Sequence, residues 1–132
     1  MDAADRIRAY YDALRAGEPL APFFAADESV VKFGISEQLV GGGEVAAGLR
    51  DQTASTTDWT VESNALRVTV RDQYAWFSDD VRLAWTDIDE GTRHDFETRW
   101  SGTLERRTGG DPDPDGTWLF VGMHVSTAAS LT

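Results

Sequence analysis

From Phe96 to Leu104 every second residue is apolar, aromatic or small. Phe96, Thr98, Trp100, Gly102 and Leu104 alternate with Glu97, Arg99, Ser101 and Thr103, and Asp95 and Glu105 extend the polar set. A repeat of two is that of a strand with one face buried. After the turn T-G-G-D-P-D-P-D-G the chain resumes with Trp118 to Ser126, apolar on both sides. Trp118 and Phe120 share one face there, and Leu119, Val121, Met123 and Val125 the other. Such a segment belongs in the middle of a packed sheet. The Gly, Pro and Asp of the turn join the two as a long hairpin. A chain with this hairpin must build a sheet.

The segments before it supply the rest. Asp2 is placed to cap a first helix, with Asp5 favourable to its dipole. Ile7, Tyr10, Tyr11 and Leu14 form its apolar stripe, and Gly17 ends it. Pro19 and Pro22 bracket the start of a short second helix over 20–26, and 29–35 reads as a strand. Gly41, Gly43 and Ala46 invite comparison with a dinucleotide fingerprint, which needs a parallel βαβ unit. Long strands follow instead, so the glycines read as a turn feeding a helix over 44–55. The strands span 59–71, 74–88, 92–107 and 118–127, and short turns make neighbours antiparallel. Within 74–88 the apolar phase changes between Trp76 and Val81, which predicts a bulge near Ser78-Asp79-Asp80. Helices followed by a curved antiparallel sheet make an α+β fold with a pocket at its open end.

The chain has 132 residues, with 41% hydrophobic residues and five tryptophans, enough for one domain over 1–132 with a real core. There is no cysteine, which removes disulfides and thiol chemistry. No apolar run has membrane-spanning length, and the opening lacks a basic signal-peptide start, so a cytoplasmic setting is expected. The formal net charge is −11, and Lys32 is the one lysine. That charge repels phosphate backbones and anionic membranes, so neither nucleic acid nor a membrane is expected as a partner. An acidic, lysine-poor surface suits a halophilic protein, since salt screens its self-repulsion; an ordinary acidic mesophilic protein is the alternative.

The opening Y-Y-D-A-L-R-A-G-E, followed by F-F-A-A-D-E-S-V-V, resembles that of the nuclear transport factor 2-like superfamily. The closing pattern is similar too, with Arg99, Glu105-Arg106-Arg107, Trp118 and His124-Val125-Ser126. The likeness is strongest to the SnoaL-like proteins, a group related to polyketide cyclases, ketosteroid isomerase and the calcium/calmodulin-dependent kinase II association domain. It implies N-terminal helices packed in a cone of curved antiparallel sheet, commonly dimeric, and no cofactor. On the isomerase pattern Tyr10 matches the oxyanion-donating tyrosine. The general base would fall at Phe33 and the second donor near Gly102, and neither residue can serve. The kinase domain's pocket arginines would fall near Gly102 and Val125 and are also absent.

The resemblance places Tyr10, Phe33, Trp85, Thr98, Trp100, Gly102, Val121, Met123 and Val125 around an aromatic, weakly polar cavity, with Gly102 leaving room. It places Arg99, Ser101 and His124 on the convex face, and Arg99, Phe120 and His124 are interface candidates. A one-residue shift in the hairpin would reverse these faces.

Among chemical groups, Tyr10 and His124 are the catalytic candidates. Tyr10 is either a donor into the cavity or part of the helix core. His124 shares a strand face with Ser126, but no orienting acid or G-x-S-x-G elbow accompanies them. His94 stands alone near a turn, and no spacing suggests a metal. Adjacent Asp79 and Asp80 point to opposite faces and read as a solvated bulge. Asp111, Asp113 and Asp115 lack the spacing of a calcium loop and read as an acidic turn. The expected function is binding of a small apolar molecule by a homodimer. The alternatives are a cyclase, isomerase or hydratase using Tyr10 and His124, and an assembly module without ligand.

Overall fold

The computed structural model describes residues 1–128. Helix α1 spans Ala3–Ala16 and opens on a reciprocal cap. The Asp5 N–H donates to Asp2 Oδ1 at 2.7 Å, and the Asp2 N–H donates to Asp5 Oδ2 at 3.4 Å. Gly17 closes it in the left-handed region, φ 69°. Ile7, Tyr10, Tyr11 and Leu14 are all buried against the sheet. Each such side chain contributes about 1.5–3 kcal/mol when removed from water.

The short second helix is a single 3₁₀ turn, Ala21–Phe23. It ends early because the next residues pair with the sheet: Phe24 bridges Phe120, and the Ala25 N–H donates to the Phe120 carbonyl at 2.9 Å. Strand β1 covers Val31–Phe33 and β2 Gln38–Val40; helix α2, Gly42–Ser55, starts two residues before its expected first turn. A Cβ at Gly42 would collide with the Ala26 backbone, so glycine is required at that close approach.

Six strands remain: β3 Thr56–Ser63, β4 Arg67–Arg71, β5 Tyr74–Asp87, β6 Arg93–Thr108, β7 Asp111–Pro112 and β8 Thr117–Thr127. The expected single strand over 59–71 is thus two. The chain leaves the ladder where the Ala65 N–H turns to the Asp79 side chain (3.0 Å) and the Asn64 N–H to the Asp80 carbonyl (2.9 Å). The path is β2-β1-β8-β6-β5-β3, with β4 added on β5 and β7 on β6. The long strands pair antiparallel as expected, and the open sheet is mixed only in that β1 runs parallel to β8. Most of the chain separates those two strands, so no hairpin dictates their direction.

The bulges also differ from expectation. β5 pairs with β6 without a slip from Tyr74 to Thr86. Ala75, Phe77, Asp79, Val81 and Leu83 all face inward, while Tyr74 and Trp76 are outward and exposed. The apparent phase change came from two aromatic side chains on the outer face. The real slip lies in the partner: opposite Thr103 and Leu104, β8 passes from Gly122 to Phe120 and leaves Val121 unpaired. This bulge reverses the phase, so Trp118, Phe120, Met123 and Val125 are all buried on the inner face. A second irregularity, between Thr57 and Thr60, carries Asp58 at φ 54°.

Candidate functional site

A small open cavity of about 130 Å³ lies between α1, the β1–β2 connection and the inner face of the sheet. α1 supplies Tyr10 and Leu14. The β1–β2 region supplies Lys32, Gly34, Ile35, Ser36 and Glu37. The end of α2 and the start of β3 give Gln52, Thr56 and Trp59, and the long strands give Leu83, Trp85, Trp100 and Val125.

The aromatic walls are held in place by polar tips. Trp100 Nε1 donates to Thr98 Oγ1 at 2.9 Å, and that hydroxyl donates to the Val81 carbonyl at 2.6 Å. Trp59 stacks on Trp85 with centroids 5.0 Å apart, and its Nε1 donates to Thr56 Oγ1 at 2.9 Å. Trp85 in turn lies 5.1 Å from His94 and 5.8 Å from Phe96, which prolongs the aromatic surface along the inner face. Indoles tied down at their N–H lose little further freedom when a ring packs on them.

The polar pole consists of Lys32 and Glu37. Lys32 is only 5% exposed, and its Nζ donates to Glu37 Oε1. The Gly34 N–H donates to the Glu37 carbonyl at 3.0 Å, closing the turn that brings the carboxylate back over the lysine. A Cβ on Gly34 would sit 2.7 Å from Glu37 Cγ, so a larger residue there would push the Glu37 side chain from its place over the lysine. Tyr10 packs edge-on against Phe23, Phe24, Trp100 and Phe120. Burial, and then the nearby Glu37 charge, push its phenol well above the ordinary tyrosine range. One wall therefore carries a neutral hydroxyl donor, an ammonium and a carboxylate. It can donate to a carbonyl-type oxygen and accept from an acidic proton.

Of the residues expected at the pocket, Tyr10, Trp85, Trp100 and Val125 line the cavity. The others do not. On β1 it is Lys32 that points inward, so Phe33 turns out, 36% exposed and edge-on to His124 at 5.8 Å. Thr98 is buried behind Trp100 as its hydrogen-bond support. The space beside Gly102 is taken: a Cβ there would lie 2.7 Å from Phe77 Cε1 and 2.5 Å from the Gly122 carbonyl oxygen. Val121 sits in the bulge, and Met123 is buried in the core below the cavity. Phe120, an interface candidate, is fully buried among Tyr10, Phe24 and Phe77, because the bulge puts it on the inner face. Arg99 and His124 are exposed on the outer face, where Arg99 Nη2 donates to Ser126 Oγ at 3.3 Å.

Asp79 is not solvated. It is 3% exposed and accepts from Tyr11 Oη at 2.8 Å, Ser63 Oγ at 2.5 Å and the Ala65 N–H. Lys32, Glu37 and Trp59 were missed from the sequence. The available signal was a lone lysine inside the apolar run Val30-Val31-Lys32-Phe33, with a glutamate five residues on.

Helices on the inner face of an open, curved sheet, with an aromatic cavity between them, define the α+β cone of the nuclear transport factor 2-like proteins. The chain belongs to the SnoaL-like domain family, whose sequence model matches residues 4–130. A nuclear transport factor 2-like superfamily protein from Salmonella enterica superposes with a TM-score of 0.79 at 16% identity, covering 97% of this chain and 89% of that one. A nuclear transport factor 2-like family protein from Streptomyces avermitilis, named as a candidate dehydratase, gives 0.78 at 19% identity over 96% and 94%. A ketosteroid isomerase-like protein from Erwinia carotovora gives 0.73 at 14% identity over 96% and 94%. No curated protein matches the sequence. Among the described residues, no helix is long and apolar enough to cross a membrane.

Proposed function

We propose that the chain binds a small, largely apolar ring compound in the cone, with one polar end against Lys32, Glu37 and Tyr10. One observation carries this reading: an open cavity walled by Trp59, Trp85 and Trp100 contains an ion pair whose lysine is buried and whose carboxylate reaches the open side. Apolar walls with a few convergent polar groups are the usual composition of a small-molecule site. The ion pair changes the expected ligand from wholly apolar to amphipathic. A thermal-shift screen of one- and two-ring compounds, with and without a carbonyl, tests it. Stabilisation by the carbonyl compounds supports the reading, and equal silence from both sets opposes it.

A second reading is an enzyme that moves a proton on such a ligand. Tyr10 would donate to the developing oxyanion, and Glu37 would take the place first considered for His124, which faces the other way. The names of two similar structures, a candidate dehydratase and an isomerase-like protein, favour it. A pH–rate profile abolished in both Tyr10→Phe and Glu37→Gln would support it, and turnover surviving both would exclude those roles. We take the working form to be a cytoplasmic homodimer joined through the outer sheet face. Phe33 stands exposed there beside His124, and Tyr74 and Trp76 are exposed farther along the same face. Sedimentation showing only a monomer would overturn that part.

A further inference from the structure

We propose that Lys32 captures ring-bearing aldehydes or ketones covalently, as an imine, inside the cavity; this rests on the ligand-binding reading above. Of the chain's twelve basic residues Lys32 is the one lysine, and it lies in the cavity wall rather than on the surface. Arginine cannot act as an amine nucleophile, whereas a lysine withdrawn from water among apolar groups can. Three tryptophans line the space in front of it, and Glu37 is its hydrogen-bond partner. The Glu37 side chain remains 32% exposed, so a ligand can reach the pair through the open side. A purely structural ion pair would need neither the cavity nor that access.

The chemistry closes on these two residues. As a ligand enters, Glu37, the hydrogen-bond partner of Lys32, takes one proton from its ammonium and frees the amine lone pair. The amine lone pair forms a bond to the carbonyl carbon, and one proton moves from nitrogen to oxygen to give the carbinolamine. Glu37 then gives its proton to that hydroxyl. The C–O bond breaks, water leaves, and the nitrogen lone pair forms the second C–N bond. The product is a protonated imine beside the Glu37 carboxylate. Overall, an ammonium and a carbonyl give an iminium and one water, with nothing oxidised or reduced.

The test uses 2-naphthaldehyde with sodium cyanoborohydride at neutral pH on the full chain, followed by peptide mass mapping. The expected result is one naphthylmethyl group on Lys32, appearing at least tenfold faster than on the amino terminus. Glu37→Gln should slow labelling of Lys32 by about tenfold or more, and Lys32→Arg should leave only terminal label. Without reductant the same aldehyde should quench tryptophan fluorescence saturably. Saturable quenching with label confined to the amino terminus would overturn the imine and leave the pocket reading standing. No saturable quenching and no label on Lys32 would overturn both. Since the labelled amine is located in the unmodified chain, no variant has to fold for the result to count.

Discussion

Tyr11 Oη donates to Asp79 Oδ2 at 2.8 Å, joining the first helix to the middle of the longest hairpin. Asp79 takes its other hydrogen bonds from Ser63 and from the Ala65 N–H, so one buried carboxylate ties α1, the β3–β4 break and β5 together. Removing one partner of such a group leaves the rest unpaired in a dry site. Tyr11→Phe should destabilise the fold by about 1–3 kcal/mol, and Asp79→Ala by more, in urea unfolding. Losses near zero would mean that water reaches the carboxylate.

The two buried tyrosines give a pH signature. For Tyr10 burial, with the Glu37 charge second, raises the phenol; for Tyr11 burial, with the Asp79 hydrogen bond next, does the same. Both folded values lie above the unfolded one of about 10. The stability contributed by the neutral phenols is therefore complete below about pH 10 and is lost as pH rises from there toward the folded values. Two of the three tyrosines should ionise only as the protein unfolds, read from phenolate absorbance against circular dichroism. Ionisation of both before unfolding would contradict their burial.

Lys32 and Glu37 should be coupled. Losing one member of a fully buried pair costs roughly 3–5 kcal/mol. Glu37 is a third exposed, so about 1–3 kcal/mol is expected for Lys32→Met or Glu37→Gln alone. The double variant should recover part of the loss, because no charge is then left unpaired. Strict additivity in denaturant melts would mean that the two do not interact.

Gly102 offers a sharp test of the cavity's outline. The sequence suggested free room beside it, whereas Phe77 and the Gly122 carbonyl fill that space. Gly102→Ala should lower stability by about 1–3 kcal/mol through overpacking and leave ligand binding in place. A neutral or stabilising alanine would return Gly102 to the pocket wall.

The sequence made the fold legible because strand alternation and helix stripes are local signals. Ile7, Tyr10, Tyr11 and Leu14 face the sheet as their spacing predicts, and Thr98, Trp100 and Leu104 are buried as their alternation predicts. The site was less legible because it depends on phase. The Val121 bulge inverts the inner face of β8 beyond it, which brought Phe120 inside and kept Val121 from the cavity. On β1 Lys32 and Phe33 are neighbours, and which of the two points inward decides whether the wall is charged or aromatic. Asp79 was unreadable for a different reason: its partners come from sequence-distant Tyr11, Ser63 and Ala65.

The net charge of −11 leads to a salt prediction. If the surface is adapted to screening, moving from molar potassium chloride to dilute buffer should lower the melting temperature by several degrees. An unchanged melting temperature would make the chain an ordinary acidic protein.

Whether the cone holds a ring compound at the tryptophan walls can be read from a ligand titration by thermal shift. Ligand that binds only the folded state must raise the melting temperature with concentration, by about 2.7 kcal/mol of stability at a hundredfold excess over Kd. Such a rise is expected with 2-naphthaldehyde or a related two-ring ketone, with affinity reduced at least tenfold by Trp85→Ala in the cavity wall. A rise of equal size and affinity in Trp85→Ala, or no rise with any ring carbonyl compound in a broad set, would contradict it.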